Sequence, residues 1–381
     1  MKEPSNITNF VRWFSVPRLK PRQLQTTSNV AEEIFAALCH IADVPEVGKE
    51  FLTKKGIAKE KVDETYFAMH SFIRQSKAFY FAAQGSGTRA GPLNYYYAFL
   101  NLAKALLCLT HPDRVKGRIG HGLTHDLTAA PLESQVVVLK EGGVFGLLYE
   151  VIAPDKLPTG FRTDLLSLLA YCPDISQEVT EAKGAEHQGM SVLSRGVSDK
   201  DKKLAFGWLG ISRFNVLEGC ESAKANVLSY FDEIKMSDTS LAREVFGLYG
   251  EAVGNFRFFE TKEKFPTEGT GIPIRKLEEI CFTGLERYVL ENPYFGETEP
   301  DCLLFKPLVQ GKEIPFNSIV AAYAVFYVLS SLSRYHPLYF EQAVSSRDSW
   351  IIDSFVRSVP ITLLRYFTNR FFGENRQYVA R

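Results

Sequence analysis

GPLNYYYAFLNLAKALLCLTHPDRVKGRIGHGLTH, residues Gly91 to His125, decides how the chain is read. Its first half is apolar or aromatic on nearly every face of a helix, so that helix must lie inside a core rather than on a surface. Its second half is a glycine-rich connection carrying His111, His121 and His125 with Arg114 and Arg118. A polar loop hung from a buried helix is held by a rigid base, which is how functional groups are usually presented.

Working outward, residues 60–84 read as a preceding helix, with Tyr66, Met69, Ile73 and Phe79 to Phe81 on its apolar side. GSGTRAG (85–91) breaks it, and Pro92 suits the first turn of the next helix, expected from Pro92 to Leu109. A helix also begins after Ser28. SQVVVLKEGGVFGLLYEVI (134–152) holds two β-branched or aromatic runs around Glu141-Gly142-Gly143, a hairpin pattern. Thr163–Ile175 returns to helix. Residues 178–203 are polar and read as a long surface loop and boundary. LAFGWLGISRF and AVGNFRFFETK look like strands, and helices are expected again from Ile274: IRKLEEICFTGLERYVLE, NSIVAAYAVFYVLSSLSRYHP and SWIIDSFVRSVPITLLRYFTNRFF. The expected class is α+β, predominantly α-helical. It consists of an irregular arm (1–27), a helical region (28–177) with the hairpin at 134–152, the loop at 178–203, and a small β element with a C-terminal helical lobe (204–381).

Composition limits the function classes. Lys plus Arg (44) equals Asp plus Glu (44), so any nucleic-acid binding must come from a local patch and not from the field of the whole protein. The six cysteines are scattered with no CxxC pair, so they read as free buried thiols, with no zinc site and a reducing compartment. The N-terminus lacks a continuous apolar h-region, and the longest apolar run, Ile319 to Leu332, is too short for a membrane span. The expectation is a cytoplasmic protein without membrane contact. No nucleophile elbow, HExxH, paired-carboxylate or kinase pattern occurs, which argues against the common motif-bearing hydrolases and transferases. No cofactor motif is present either.

YYYAFLNLAKALL followed by HGL, then GGVFGLLYEVI, LLSLLAYCPDI and LSSLSRYHPLYFEQ, resemble in order and spacing the YaaC-like proteins, bacterial proteins of about this length whose biochemistry is unsettled. The resemblance covers roughly residues 60–370. Within it, YYxxFxxAxALL with a downstream His-Gly is similar to HEPN domains, helical bundles found in toxins, RNA-processing factors and phage-defence proteins. It implies a HEPN-like bundle for 28–177. The ribonuclease members use an Rx4-6H motif, which Arg114 and His121 fit by spacing, with Arg118 and His125 in support. Gly117, Gly120 and Gly122 make that stretch a poor helix, whereas the family motif lies on one.

The loop's residue types suit phosphate chemistry in themselves. Metal-independent RNA cleavage needs one group to take the 2′-hydroxyl proton, a job for histidine, and another to stabilise phosphate charge, a job for arginine. The glycines would also let backbone N–H groups approach an anion. The plainer alternative is that His121 bonds neighbouring backbone while the arginines are solvated.

Further ligand-binding candidates are Arg89 in GSGTRAG, the polar stripe Asn94, Asn101 and Lys104, and Arg334 with His336 at the end of the long apolar helix. A role for the last pair requires that end to fold back toward His121; helix-dipole compensation explains both cations otherwise. Arg357, Arg365, Arg370, Arg376 and Arg381 with Tyr366 form a basic-aromatic run of the kind that contacts RNA or acidic partners. Three functions are therefore in play. The first is a protein binding a nucleotide, RNA or a protein partner, in stress or phage defence by the superfamily resemblance. The second is a metal-independent ribonuclease, and the third a structural subunit or homo-oligomer.

Overall fold

A computed structural model describes residues 4, 10–15, 19–26, 29–126, 136–140, 142–153, 155–158, 160–199, 202–236, 239–267, 281–282, 285, 287–292, 301–310 and 312–380. The protein is α+β with helix predominating. It divides into two compact units, one of residues 1–22 and 188–317, the other of 23–187 and 318–381. The C-terminal helices therefore join the N-terminal ones in a single unit, with a mainly β unit inserted in sequence between them.

The helical unit contains α1 (Val30–Asp43), α2 (Pro45–Lys54), α3 (Val62–Gln84), α4 (Gly87–Thr110), α5 (Pro112–Val115), α6 (Gly143–Ile152), α7 (Leu165–Leu169) and α8 (Ser176–Lys183). After the insertion come α9 (Ser318–Tyr335), α10 (Pro337–Val344) and α11 (Ser349–Phe372). As its composition requires, α4 is central, packed against α3, α9 and α11. Phe99 joins them: its ring lies 5.4 Å from Phe326 on α9 and 6.0 Å, stacked, from Phe367 on α11. Tyr95 meets both Tyr80 of α3 and Phe326. Bulky rings in offset and tilted pairs fill this core.

Several expectations need correction. Helix α4 starts at Gly87, not Pro92, so Pro92 lies inside it; the break at GSGTRAG is only Gly85 and Ser86. The expected hairpin at 134–152 does not form. Strand β2 (Val136–Leu139) pairs with β1 (Leu123–Asp126) and β3 (Phe161–Asp164), while GVFGLLYEVI is helix α6, buried along most of its length. Its β-branched and aromatic residues suit a strand intrinsically, but burial on all sides overrides that weak preference. Thr163 and Asp164 end a strand, so α7 is shorter than expected, with Asp164 capping it by accepting from Ser167 N at 2.7 Å.

In the other unit an antiparallel sheet runs in the order 289–291, 302–305, 189–199, 204–212, 256–261, 231–234. Alternation sends Val192, Leu209 and Phe259 into one apolar cluster and Leu193, Trp208 and Phe258 into a second, so the sheet is buried on both faces. The surface loop expected at 178–203 is thus largely wrong: it contains the end of α8 and the strand Gly189–Asp199, buried along almost its whole length. The polar residues that disguised this strand are internally bonded. Arg195 donates to Asp301 at 2.6 Å and to the Val245 carbonyl at 3.1 Å, as buried charges must.

The arm at 1–27 is not irregular throughout, since Phe10–Ser15 and Pro21–Thr26 are strands, the first paired with residues 195–199. The helix expected from Ile274 lies mostly outside the described residues, and Val289–Glu291 at its end is a strand. All six cysteines are free and buried, as expected. No helix among the described residues is long and apolar enough to cross a membrane.

Candidate functional site

The glycines of the 117–125 connection serve chain packing. At Gly122 (φ +76°) a β-carbon would come within 2.6 Å of the Gly142 carbonyl, and at Gly143 (φ +67°) within 2.6 Å of Gly122 N and 2.8 Å of the Gly120 carbonyl. The two segments touch backbone to backbone. Val144 N donates to the Gly120 carbonyl at 2.9 Å, and Phe145 N to the His121 carbonyl at 3.0 Å. These are orphan donors at the start of α6, and the loop consumes them. These bonds use the carbonyls of Gly120 and His121 and leave the loop's own N–H groups uninvolved.

That clamp fixes His121. The imidazole Nδ1 lies 2.6 Å from the Tyr96 hydroxyl, and the ring packs 5.6 Å from Tyr96 and 6.0 Å from Tyr327. Burial pushes the Tyr96 hydroxyl far above the ordinary phenol range, so it keeps its proton. The Tyr323 hydroxyl lies beside it and can take the Tyr96 proton, so Tyr96 can either donate to Nδ1 or accept from it. The pair is compatible with either neutral imidazole, protonated on Nε2 or on Nδ1.

The cations that bear on His121 come from elsewhere than its own loop. Burial lowers its pKa first, and Lys104 and Arg334 lower it further. Lys104, half-buried on α4, sits 5.4 Å over Phe72, and burial lowers its pKa too. Arg334, exposed at the end of α9, donates to the Tyr97 hydroxyl at 2.8 Å and stacks 4.9 Å from the Tyr335 ring. The end of α9 does return to the loop: the His125 and His336 rings are 6.1 Å apart, and His125 lies 6.3 Å from Tyr327. Burial and His336 lower the His125 pKa against an opposing pull from Asp126. Its Nε2 is buried without a hydrogen-bond partner.

The remaining candidates are placed differently. Arg114, on α5, and Arg118, in the following turn, are exposed and not among the charges acting on His121. Arg89 is held bidentate by Glu341 at 2.9 and 2.6 Å. Asn94 donates to the Ser86 hydroxyl and Asn101 to the Tyr97 carbonyl. Arg365 and Arg376 of the C-terminal run are buried, so that run is not a solvated basic stripe. No cluster of three or more metal-ligating side chains occurs among the described residues.

One signal was available in the sequence and not used. Residues 65–112 and 314–340 contain no Asp or Glu at all, and these stretches supply Tyr96, Lys104, Arg334 and His336. The site is thus cationic with no carboxylate from its own helices to compensate it. Chemically it presents a guanidinium, an ammonium and an imidazole on a bed of tyrosines, a set that fits an anion bearing flat rings.

The lowered pKa values predict an acid-labile fold. An imidazole whose folded pKa lies below its ordinary ~6.5 binds protons more readily when unfolded, so stability falls as pH drops through that range. Replacing His125 by Gln is expected to reduce the loss of melting temperature between about pH 7.5 and pH 5. A variant losing as much as the wild type would show that His125 does not carry this dependence.

The family model of the YaaC-like proteins matches residues 45–371, a span that includes every side chain of the cluster. No curated protein and no solved structure gave a match.

Proposed function

Because the chain belongs to the YaaC-like family, whose matched span holds this cluster, we propose that the protein binds a phosphate-bearing ligand, a nucleotide or RNA, through His121, Lys104 and Arg334. The observation that carries this reading is that the consecutive Tyr96 and Tyr97 of α4 hold His121 at 2.6 Å and Arg334 at 2.8 Å, with no Asp or Glu on α4 or α9. Like charges brought together on helices free of carboxylates are uncompensated until an anion arrives. The similarity of residues 28–177 to HEPN bundles supports RNA among the ligands and a role in stress or phage defence.

The test is a calorimetric titration with ATP and, separately, incubation with total RNA with and without EDTA. Binding that weakens with added salt, with the RNA left intact, is expected. Failure to bind both ATP and RNA would refute the reading. RNA cleavage that survives EDTA would favour the metal-independent ribonuclease instead.

A further inference from the structure

Beside the cationic cluster, the segment Arg334-Tyr335-His336-Pro337-Leu338-Tyr339 turns from α9 into α10 and leaves large side chains in water. Tyr335 is 62% exposed, Leu338 80% and Tyr339 43%. Proteins seldom leave such side chains grouped at a surface without use. A row of rings runs inward from Tyr339: Tyr339 to His336 at 6.3 Å, His336 to His125 at 6.1 Å, His125 to Tyr327 at 6.3 Å, and Tyr327 to His121 at 6.0 Å. Arg334 stacks on Tyr335, so cation and ring are presented together. The acids near this edge are already paired, Glu341 of α10 with Arg89 and Asp126, beside His125, with Arg162.

Resting on the anion-site reading above, the geometry points to a single-stranded nucleic acid as the ligand class, with one phosphate at Lys104, His121 and Arg334 and neighbouring bases stacked on Tyr335 and Tyr339. A cationic point flanked by exposed aromatic faces is how single strands are held without sequence preference, since every base has a π-face. A duplex keeps its bases paired and stacked on one another, leaving none for the tyrosines. A mononucleotide engages the cations but cannot reach both rings.

The experiment compares fluorescence anisotropy of a labelled oligouridylate with competition by UMP and by duplex RNA, for the wild type, Tyr335→Ala and Tyr339→Ala. These side chains are exposed, and matching thermal melts will establish that the variants fold. The oligonucleotide is expected to bind more tightly than UMP and to outcompete the duplex. Each substitution is expected to weaken oligonucleotide binding about tenfold; UMP affinity should hold in Tyr339→Ala but fall in Tyr335→Ala, which removes the ring beneath Arg334. Equal affinity for UMP and oligonucleotide, equal competition by duplex, or unaffected variants would overturn the extended site while leaving the anion site standing. No binding of UMP or oligonucleotide by the wild type would overturn both.

Discussion

Replacing Gly143 by alanine is expected to destabilise the fold by about 3 kcal/mol or more, among the larger effects of a single substitution. Two costs combine. The residue sits at φ +67°, where a side chain is strained, and the new methyl carbon would lie 2.6 and 2.8 Å from backbone atoms of Gly122 and Gly120, which cannot swing aside as a flexible side chain would. Relief requires separating the loop from α6 and breaking the bonds from Val144 N and Phe145 N to the carbonyls of Gly120 and His121. The same movement displaces His121 from Tyr96. Gly117→Ala is the control, since its added methyl meets nothing within 4 Å and its φ is not positive. Denaturant unfolding should show a large loss for Gly143→Ala and little for Gly117→Ala. Equal stabilities would mean that the close approach does not shape the loop.

The helical core was legible because its pattern is strong. Apolar residues on every face of 92–109 can only be buried, and α3, α9 and α11 follow from similar runs. What misled the reading was local preference against tertiary context. Val144, Phe145 and Ile152 suit a strand, yet they form a helix because a core surrounds them. Ser194, Arg195 and Asp199 suit a surface, yet they lie in a buried strand, with Arg195 paired to Asp301 more than a hundred residues away. No local pattern reveals such a partner. The site was legible in pieces. His121 and His125 were visible as a loop cluster, and Lys104, Arg334 and His336 as separate features. Their meeting depends on α9 packing along α4, across an inserted unit of well over a hundred residues. The absence of acids from 65–112 and 314–340 was the readable clue that the two stretches share an electrostatic environment.

Removing Lys104 and Arg334 together is expected to cost the largest part of ligand affinity. A hydrogen bond to a charged partner contributes about 1.5–3 kcal/mol, so each lost cation should weaken binding at least about tenfold. The fold should tolerate the change. Arg334 is exposed, and Lys104, whose pKa burial already lowers, is easier to replace by an uncharged residue than a paired buried cation. With two like charges gone, His121 is relieved of the repulsion that depresses its pKa, which therefore rises toward the ordinary value. The salt dependence of binding should become shallower as well, because fewer phosphate contacts release fewer counterions. The most direct measurement is the dissociation constant for a labelled oligouridylate, across a range of salt, for the wild type and the Lys104→Ala/Arg334→Ala double variant. A loss of about a hundredfold with a flatter salt slope is predicted; an unchanged constant and slope in a folded variant would contradict the assignment of the ligand to this cluster.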